Sequence, residues 1–298
     1  MAGYRDQVAL LIQIIPEIEK VPVFALHGGT AINLFIRDMP RLSVDIDLTY
    51  INTEARETAM LNIRKGLATI QKNIEQNIPG VKVNFLEEQL KIQISKGGAV
   101  VKIEVNQGIR GLINNLNELI LCERAQKDFD AFCSIQGVPL GQLYGGKICA
   151  ALDRQHPRDL FDVHYMLENE GITKPIKEGF LFTLFSSGRS MQDILFPNKI
   201  DQRATFENQF KGMTLKSFTY GDFEFTRNRL LSSLHDSLTK EDKEFILAFK
   251  NATPNWDYLD LKKFPAVQWK LDNLLALKAS NPKKHEELVS RLRKQLEI

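Results

Sequence analysis

Between Ser43 and Ile51 the chain alternates between apolar and polar side chains, and this pattern limits the fold more than any other feature of the sequence. In an extended strand, successive side chains point to opposite faces. The segment is therefore predicted to be a strand with one apolar face, which has to be buried in a core. The apolar face would carry Val44, Ile46, Leu48 and Tyr50, and the polar face would carry Asp45, Asp47 and Thr49.

Asp45 and Asp47 put two carboxylates on the same face of this strand, about 7 Å apart along it. Like charges at that spacing repel each other, and a divalent cation with oxygen ligands relieves the repulsion. The two residues are therefore candidate ligands of Mg²⁺, with Mn²⁺ as the alternative ion. Two acids on the solvated face of an edge strand would give the same pattern. A second such motif, at Asp128 and Asp130, follows no glycine-rich turn and is interpreted as surface.

A glycine-rich turn, Gly28-Gly29-Thr30, precedes this strand. It lies between an apolar run suited to a buried strand (21–26) and a short helical stretch (31–37). Glycines let backbone amides approach a phosphate, and the start of a helix favours anions. We therefore expect Gly28 and Gly29 to bind a nucleotide phosphate, with a hydroxyl contact from Thr30. The alternative is an ordinary strand-to-helix turn in which Thr30 caps the helix.

A hairpin predicted over residues 90–105, with a Gly-Gly turn, carries a third acidic candidate. Glu104 lies on the polar face of its second strand. Beside the first two carboxylates, it would complete a site for one or two magnesium ions. A surface salt bridge from Glu104 to Lys102 or Lys91 is the alternative.

The segment from Lys147 to Asp162 combines charged side chains with a helical apolar pattern. Lys147 lies in the middle of a predicted helix (140–153) among apolar neighbours, where a lysine needs an anionic partner. Asp159 and Asp162 share one face of the next helix, and Arg158 adjoins them. Near a triphosphate, Lys147 and Arg158 would neutralise the charge that develops during phosphoryl transfer. An ion-pair cluster that ties the two helices together is the alternative.

The secondary-structure pattern divides the chain into two halves. Residues 1–170 are predicted to form an α/β (α+β) domain. Residues 171–298, which have few convincing strand patterns, are predicted to form a mostly helical C-terminal domain. The first helix is predicted over residues 7–19, ended near Pro16. Thr239 with Asp242 resembles a capping box at the start of a later helix.

Composition excludes several classes of protein. No apolar run approaches the roughly 20 residues needed to cross a bilayer, and the N-terminal residues do not resemble a signal peptide. We therefore expect a cytoplasmic protein with no membrane partner. The three cysteines have no CxxC spacing and are expected to be reduced thiols. His27, His156 and His164 are interpreted as packing or hydrogen-bonding residues. The second half has 21 Lys and Arg against 16 Asp and Glu, which is compatible with a nucleic-acid partner.

Together these motifs resemble the AbiEii toxin family, a branch of the DNA-polymerase-β-like nucleotidyltransferases that includes the MenT toxins. The first signature consists of the strand, the Gly-Gly-Thr turn, Arg41-Leu-Ser43 and Asp-Ile-Asp-Leu. The second runs from Gly146-Lys147 to Arg158-Asp159-Leu-Phe-Asp162. The later run Phe264-Pro-Ala-Val-Gln-Trp-Lys270-Leu-Asp-Asn273-Leu resembles the C-terminal end of the family, so the resemblance covers most of the chain. It implies a nucleotidyltransferase fold with a mixed sheet in the first half, which would be the catalytic domain.

The resemblance also implies roles for individual residues. Asp45 and Asp47 match the metal-binding acids, and Lys147 matches the essential lysine of the family. Thr30 stands where the superfamily usually has serine, and it keeps the hydroxyl. Asp162 is the better match to the late catalytic aspartate.

Two acidic positions keep an alternative. Asp159 remains a second candidate for the late aspartate, and with Arg158 it is expected near the nucleotide. Glu104 matches the third carboxylate of the superfamily, which this branch sometimes lacks. One metal ion or two therefore remain open.

The family consists of toxins from bacterial toxin–antitoxin or phage-defence systems, and some members transfer nucleotides to the 3′ acceptor end of tRNA. A cognate antitoxin restrains them. The leading hypothesis is therefore transfer of NMP from an NTP to RNA, with tRNA as the favoured acceptor, which would block translation and growth. One alternative is a nucleotidyltransferase that modifies a small molecule such as an antibiotic. Another is a nucleotide-binding regulator without turnover.

Overall fold

A seven-stranded mixed sheet lies at the centre of the structure, a computed structural model that describes residues 2–298. In chain order its strands are β1 (Phe24–His27), β2 (Asp45–Tyr50), β3 (Lys82–Leu86), β4 (Lys91–Lys96), β5 (Ala99–Val105), β6 (Asn117–Ile120) and β7 (Ser134–Gly137). Their order in the sheet is β3-β4-β5-β2-β1-β7-β6. The β2–β5 and β1–β7 pairs are parallel, and the other four pairs are antiparallel.

Helices cover this sheet and make up almost all of the second half. In the first half they are α1 (Ala2–Glu19), α2 (Gly28–Thr30, continued by a π-helical stretch, Ala31–Ile36), α3 (Arg56–Asn77), α4 (Glu123–Phe129), α5 (Leu140–Asp153) and α6 (Pro157–Asn169). In the second half they are α7 (Lys174–Ser186), α8 (Met191–Leu195), α9 (Arg203–Thr205, continued by a π-helical stretch, Phe206–Phe210), α10 (Tyr220–Ser237), α11 (Lys240–Lys250), α12 (Pro265–Ser280) and α13 (Pro282–Leu296).

The alternating segment forms β2, as predicted, and the apolar side chains within the strand, Ile46, Leu48 and Tyr50, are fully buried, whereas Val44, just before it, is half-buried. The register pairs Asp47 with His27 of β1 on one side and with Glu104 of β5 on the other. Directly opposed residues of neighbouring strands face the same side of a sheet. The sheet therefore brings three chemically active side chains from three strands to one face.

Two strands were not predicted from the sequence. β6 and β7 contain four residues each, and within β6 only Leu119 is buried. A strand this short shows too few alternations to be distinguished from a loop. The hairpin of β4 and β5, in contrast, is confirmed, and Gly97 and Gly98 form its turn with positive φ angles.

Helix α1 does not end near Pro16, so that prediction is wrong. The helix continues through the proline to Glu19. Proline removes one backbone hydrogen bond and strains the preceding turn. The apolar side chains on both sides of it, including Ile14, Ile15 and Ile18, are fully buried, and their packing offsets that cost.

The two halves share one continuous hydrophobic core. Helices α5 and α7 approach so closely that a side chain on Gly145 would overlap the backbone of Gly179. Capping boxes begin α10 at Thr219 and α11 at Thr239, the second as predicted. The boundary at residue 170 thus separates a mixed half from a helical half, and as a domain boundary it remains a proposal.

No helix in residues 2–298 is both long and apolar enough to span a bilayer. The three cysteines, Cys122, Cys133 and Cys149, form no disulfide with one another.

Candidate active site

A cleft of about 340 Å³ opens where β1, β2 and β5 face helix α5. The sheet contributes His27, Asp47 and Glu104, and the helix and its C-terminal end contribute Lys147 and Arg154. The cleft therefore has carboxylates on one wall and cations on the other, which is the arrangement needed to hold a metal–phosphate complex.

Gly28 allows the Asp47 carboxylate to lie against the backbone at the start of α2. A side chain at Gly28 would overlap the Oδ2 atom of Asp47, and the backbone there has a φ of +75°, which favours glycine. Both Gly28 and Asp47 line the cleft. The structure thus explains why a glycine stands at position 28: its backbone lies directly against Asp47. The sequence alone did not reveal this contact.

The Asp47 carboxylate is an uncompensated charge in a poorly solvated place. Burial raises its pKa to about 6, and the charges of Asp45 and Glu104 act in the same direction, against the lowering effect of Lys147. Within residues 2–298 the carboxylate forms no ion pair closer than 4 Å. A cation placed at this carboxylate would remove the cost of its ionisation.

Thr30 has a different contact from the one expected. Its hydroxyl is completely buried and donates to the backbone oxygen of Asp45 at 2.5 Å, with Ser43 Oγ at 3.0 Å. It lies within the helical run rather than at a cap, and its side chain makes no capping hydrogen bond. The hydroxyl therefore joins α2 to β2 and does not face the cleft, whereas Gly28 does.

The predicted group of three carboxylates is not assembled. Asp47 and Glu104 line the cleft, but Asp45 does not. Glu104 forms a salt bridge with Lys91 at 2.5 Å, which is one of the two partners considered as the alternative. Across the described part of the chain, residues 2–298, no group of three or more acidic, histidine or cysteine side chains is arranged to hold a metal ion.

Lys147 stands at the junction between the cleft and a buried ion cluster. Its Nζ atom lies 3.0 Å from Asp159 Oδ1 and 3.1 Å from Asp162 Oδ2. Burial alone would lower the pKa of Lys147, but the two carboxylates raise it above the ordinary value. The amine is therefore charged, and it lines the cleft as well. The ion-pair cluster between α5 and α6 is present, and Lys147 belongs to it and to the cleft wall.

Asp162 lies behind this wall. Its side chain has no solvent exposure and binds Arg41 through two hydrogen bonds, of 2.7 and 2.6 Å, and Asn33 through one of 2.9 Å. Although burial opposes ionisation, Arg41 and Lys147 keep the pKa of Asp162 below its usual value. Gly29 makes room for this cluster, since a side chain there would collide with the Arg41 guanidinium. Neither Asp159 nor Asp162 lines the cleft.

Arg154, rather than Arg158, is the arginine of the cleft. Arg154 binds Asp159 with its Nε at 2.5 Å from Oδ2, and its side chain remains 63% exposed at the cleft wall. Arg158 does not contribute to that wall. Sequence reasoning missed Arg154, although it follows Lys147 by seven residues, a spacing that places both on one face of a helix.

His27 was interpreted as a packing or hydrogen-bonding residue, and the structure places it at the edge of the cleft. Burial, and next the charge of Lys147, lower its pKa to about 4. The ring is therefore neutral near pH 7, and its Nδ1 lies 3.4 Å from Thr49 Oγ1.

A glycine turn that supports a strand carboxylate, opposite a lysine and an arginine on a facing helix, is the arrangement of a nucleotidyltransferase. The chain belongs to the AbiEii family: the model described as "Nucleotidyl transferase AbiEii toxin, Type IV TA system" matches residues 9–273. The protein is accordingly a nucleotidyltransferase of a toxin–antitoxin family. No curated protein sequence matches the chain.

Solved structures share this fold at low sequence identity. The nucleotidyltransferase toxin MenT4 from Mycobacterium tuberculosis has a TM-score of 0.63 and 11% identity, and the match covers 91% of this chain and 93% of that one. A protein from H. pylori assigned to the nucleotidyltransferases has a TM-score of 0.43 and 15% identity, over 77% of this chain and 96% of that one. The likeness to MenT4 shows the fold alone.

Proposed function

We propose that this protein transfers a nucleoside monophosphate from an NTP to RNA in a magnesium-dependent reaction, with the 3′ end of tRNA as the acceptor. The observation that carries the proposal is the Asp47 carboxylate, which lies at the cleft without an ion-pair partner within the described residues. It faces the cationic wall of Lys147 and Arg154. The site thus has a place for a metal ion on one side and for phosphates on the other.

The residues present fit a magnesium ion. Mg²⁺ prefers oxygen ligands and is usually held by one or two carboxylates together with substrate phosphates. Asp47, on the cleft wall, would supply the first carboxylate. Glu104 would join it on leaving Lys91, and Asp45, two residues away on the same strand, would join it by turning toward the cleft. When bound, the ion would activate the attacking hydroxyl and neutralise the triphosphate, and Mn²⁺ offers the same chemistry.

The side chains of this protein would then position the nucleotide. Lys147 and Arg154 would neutralise the triphosphate, since both are cations on the cleft wall. The backbone N–H groups of Gly28 and Gly29, at the start of a helix, would donate hydrogen bonds to a phosphate. Asp159 and Asp162 would hold the two cations in place. Attack by a 3′-hydroxyl on the α-phosphorus would form the new phosphodiester bond and release pyrophosphate.

The acceptor and the biological setting follow from the family as expectations. Transfer to tRNA would block aminoacylation in the cytoplasm and stop growth, and a cognate antitoxin would restrain the enzyme. The mildly basic second half would bind RNA through its phosphates. A small molecule as acceptor and nucleotide binding without turnover remain outcomes of the test.

The test incubates the purified protein with magnesium, each α-labelled NTP in turn and total tRNA. Asp47→Asn is compared with Asp130→Asn. Asp130 is an exposed aspartate in the second pair of alternating acids, Asp128-Phe129-Asp130. Label in tRNA with wild-type protein and Asp130→Asn, and none with Asp47→Asn, would support the proposal. Label found only in a small-molecule acceptor, or none in any RNA, would contradict it, and equal labelling by Asp47→Asn would remove Asp47 from the site.

A further inference from the structure

A second cavity, of about 420 Å³, lies beside the catalytic cleft and is lined by Arg56, Arg110, Ser186 and Trp269, among others. A third cavity, of about 300 Å³, connects the two. It shares Ser186 with the second cavity and Gly146 with the cleft. The three cavities therefore adjoin one another, and we call the second cavity, lined by Arg56, Arg110, Ser186 and Trp269, the Arg110 groove.

Arg110 is the unusual residue of this groove, because it is buried and its charge is not neutralised by contact. The residue is only 3% exposed, yet its Nε and Nη1 atoms have no hydrogen-bond partner within the described part of the chain. The Oγ atom of Ser186, on the same wall, also has none there. Buried polar groups are normally satisfied, and an unsatisfied charged group is costly. The unsatisfied nitrogens are themselves shielded from solvent, but Arg110 lines the cavity, so its uncompensated charge favours an anionic ligand there.

The charges around Arg110 also favour an anionic ligand. Burial and, next, the charge of Arg56 lower the pKa of Arg110. The charge of Glu54 raises the pKa of Arg110, against burial and Arg56. This carboxylate, however, is already bound by the Tyr50 hydroxyl and by Asn62 Nδ2. The groove therefore presents two neighbouring guanidinium groups, and a phosphate would satisfy both.

The loop that carries Arg110 is held firmly on both sides. Asn106 Oδ1 accepts a hydrogen bond from the backbone of Gly108 at 3.0 Å. After the arginine, the backbone nitrogen of Gly111 donates to the backbone oxygen of Tyr50 at 2.9 Å. Gln142 Nε2 donates to the backbone oxygen of Gly111 at 3.1 Å. Arg110 is thus part of a preformed wall.

Trp269 supplies the second kind of contact. It projects from α12 into the groove and is 57% exposed, which is unusual for so large an apolar side chain. Arginine donors for phosphates next to an exposed aromatic ring for bases are the elements with which proteins bind single-stranded nucleic acid.

We propose that the Arg110 groove holds the single-stranded end of the acceptor RNA, with Arg110 and Arg56 on a backbone phosphate and Trp269 stacked on a base. The inference rests on the proposed function, which places the 3′-hydroxyl of that strand in the adjoining cleft. A strand that extends from the cleft into the adjoining cavities would occupy the groove, whereas a nucleotide bound in the cleft alone would not reach Arg110 or Trp269, which do not line the cleft.

The test measures binding of a short fluorescent single-stranded RNA that ends in a 3′-hydroxyl, at several salt concentrations. Arg110→Gln and Trp269→Ala are compared with matched surface changes, Arg291→Gln and Phe132→Ala, which alter exposed residues outside the groove. We expect Trp269→Ala to weaken binding about tenfold. We expect Arg110→Gln to reduce the slope of log affinity against log salt by roughly 0.7 for each RNA phosphate that the variant no longer neutralises. Arg110→Lys and Trp269→Phe should restore part of each effect.

Thermal unfolding separates binding from structure. Arg110→Gln removes a buried uncompensated charge, so its Tm should stay or rise, and the shift of Tm by Mg·NTP should be unchanged in every variant. RNA affinity equal to wild type in both groove variants overturns the inference and leaves the groove to a protein partner. If wild-type protein labels RNA while the groove variants keep its KM, the inference alone is wrong. If wild-type protein neither binds nor labels RNA, the proposed function fails as well.

Discussion

At the scale of single residues, the site depends on two glycines whose lack of a side chain makes room for neighbouring charged groups. Gly28 has no side chain where Asp47 Oδ2 lies, and Gly29 has none where the Arg41 guanidinium lies. Two adjacent glycines therefore make room for two charged side chains, one at the cleft and one in the buried cluster behind it. The sequence predicted that these glycines leave room for a phosphate, and the structure adds that they leave room for side chains from distant segments.

Gly28→Ala should disrupt the site more than it destabilises the fold. Its backbone φ of +75° costs alanine about 1–2 kcal/mol, and the new methyl group would displace the Asp47 carboxylate. Gly80→Ala is the matched control, because Gly80 has a φ of +77° with no atom close to an added Cβ. Nucleotide transfer and urea denaturation are measured for both. Equal stability losses with full transfer by Gly28→Ala would show that its contact with Asp47 has no catalytic weight.

Asp47→Asn should stabilise the metal-free protein. Burial raises the pKa of Asp47 from 3.8 to about 6, so the folded state holds this proton more tightly than the unfolded state. Wild-type stability is therefore lost as pH rises from about 4 to about 6, and the variant lacks this loss. We expect a gain of up to about 3 kcal/mol at pH 7 and little at pH 4, measured by urea denaturation. A difference that is the same at both pH values would contradict this account.

At the scale of elements, a buried ion cluster joins α5, α6 and the segment before β2. Asp162 contacts Arg41 and Lys147, and Asp159 contacts Lys147 and Arg154. Buried ion pairs contribute little net stability, but loss of one partner leaves an uncompensated charge. The cluster therefore positions the cations of the cleft wall more than it stabilises the helices.

Asp162→Asn should act through this cluster. It leaves Arg41 with a buried charge and weakens the hold on Lys147, at a cost of about 3–5 kcal/mol. Thermal unfolding should show a large fall in Tm, whereas Asp153→Asn, which breaks the more exposed ion pair with Arg189, should cost less than about 1 kcal/mol. An Asp162→Asn protein with wild-type Tm and no transfer activity would instead assign Asp162 a role at the reacting atoms.

At the scale of the whole molecule, the two halves pack through glycines. Gly141 and Gly145 of α5 lie directly against the backbone of α7, at Pro175 and Gly179. Pairing of residues 40–42 with residues 213–215 adds a second connection. The cationic wall of the cleft, which α5 carries, is therefore supported by the helical half.

Residues 1–170 alone should not form a stable folded unit. Their expression without α7 would expose the apolar face of α5, which is buried in the complete chain. We expect aggregation, or a broad unfolding transition in place of a cooperative one, measured by circular dichroism. Co-expression with residues 171–298 is the control and should restore a cooperative transition. A soluble, cooperatively folding 1–170 fragment would instead make residue 170 a true domain boundary.

Periodicity in the sequence was enough to place β2, the β4–β5 hairpin, α5 and α6, because each follows from the spacing of apolar residues within one segment. The same local reasoning selected Asp47, Lys147 and Gly28, all of which line the cleft. It failed at Pro16, where burial of distant side chains outweighs a local preference. It also failed for the two four-residue strands, which are too short to carry a pattern.

The sequence by itself determined which segments form strands and helices and which side chains are chemically suited to bind metal and phosphate. Only the tertiary structure decided how those side chains are paired. It selected Arg154 over Arg158 for the cleft, gave Lys91 to Glu104, withdrew Thr30 and Asp162 from the cleft surface, and left two nitrogens of Arg110 without a hydrogen-bond partner among the described residues. The physical reason is that electrostatic energy and burial depend on distances between segments far apart in the chain, whereas periodicity reports only on neighbours.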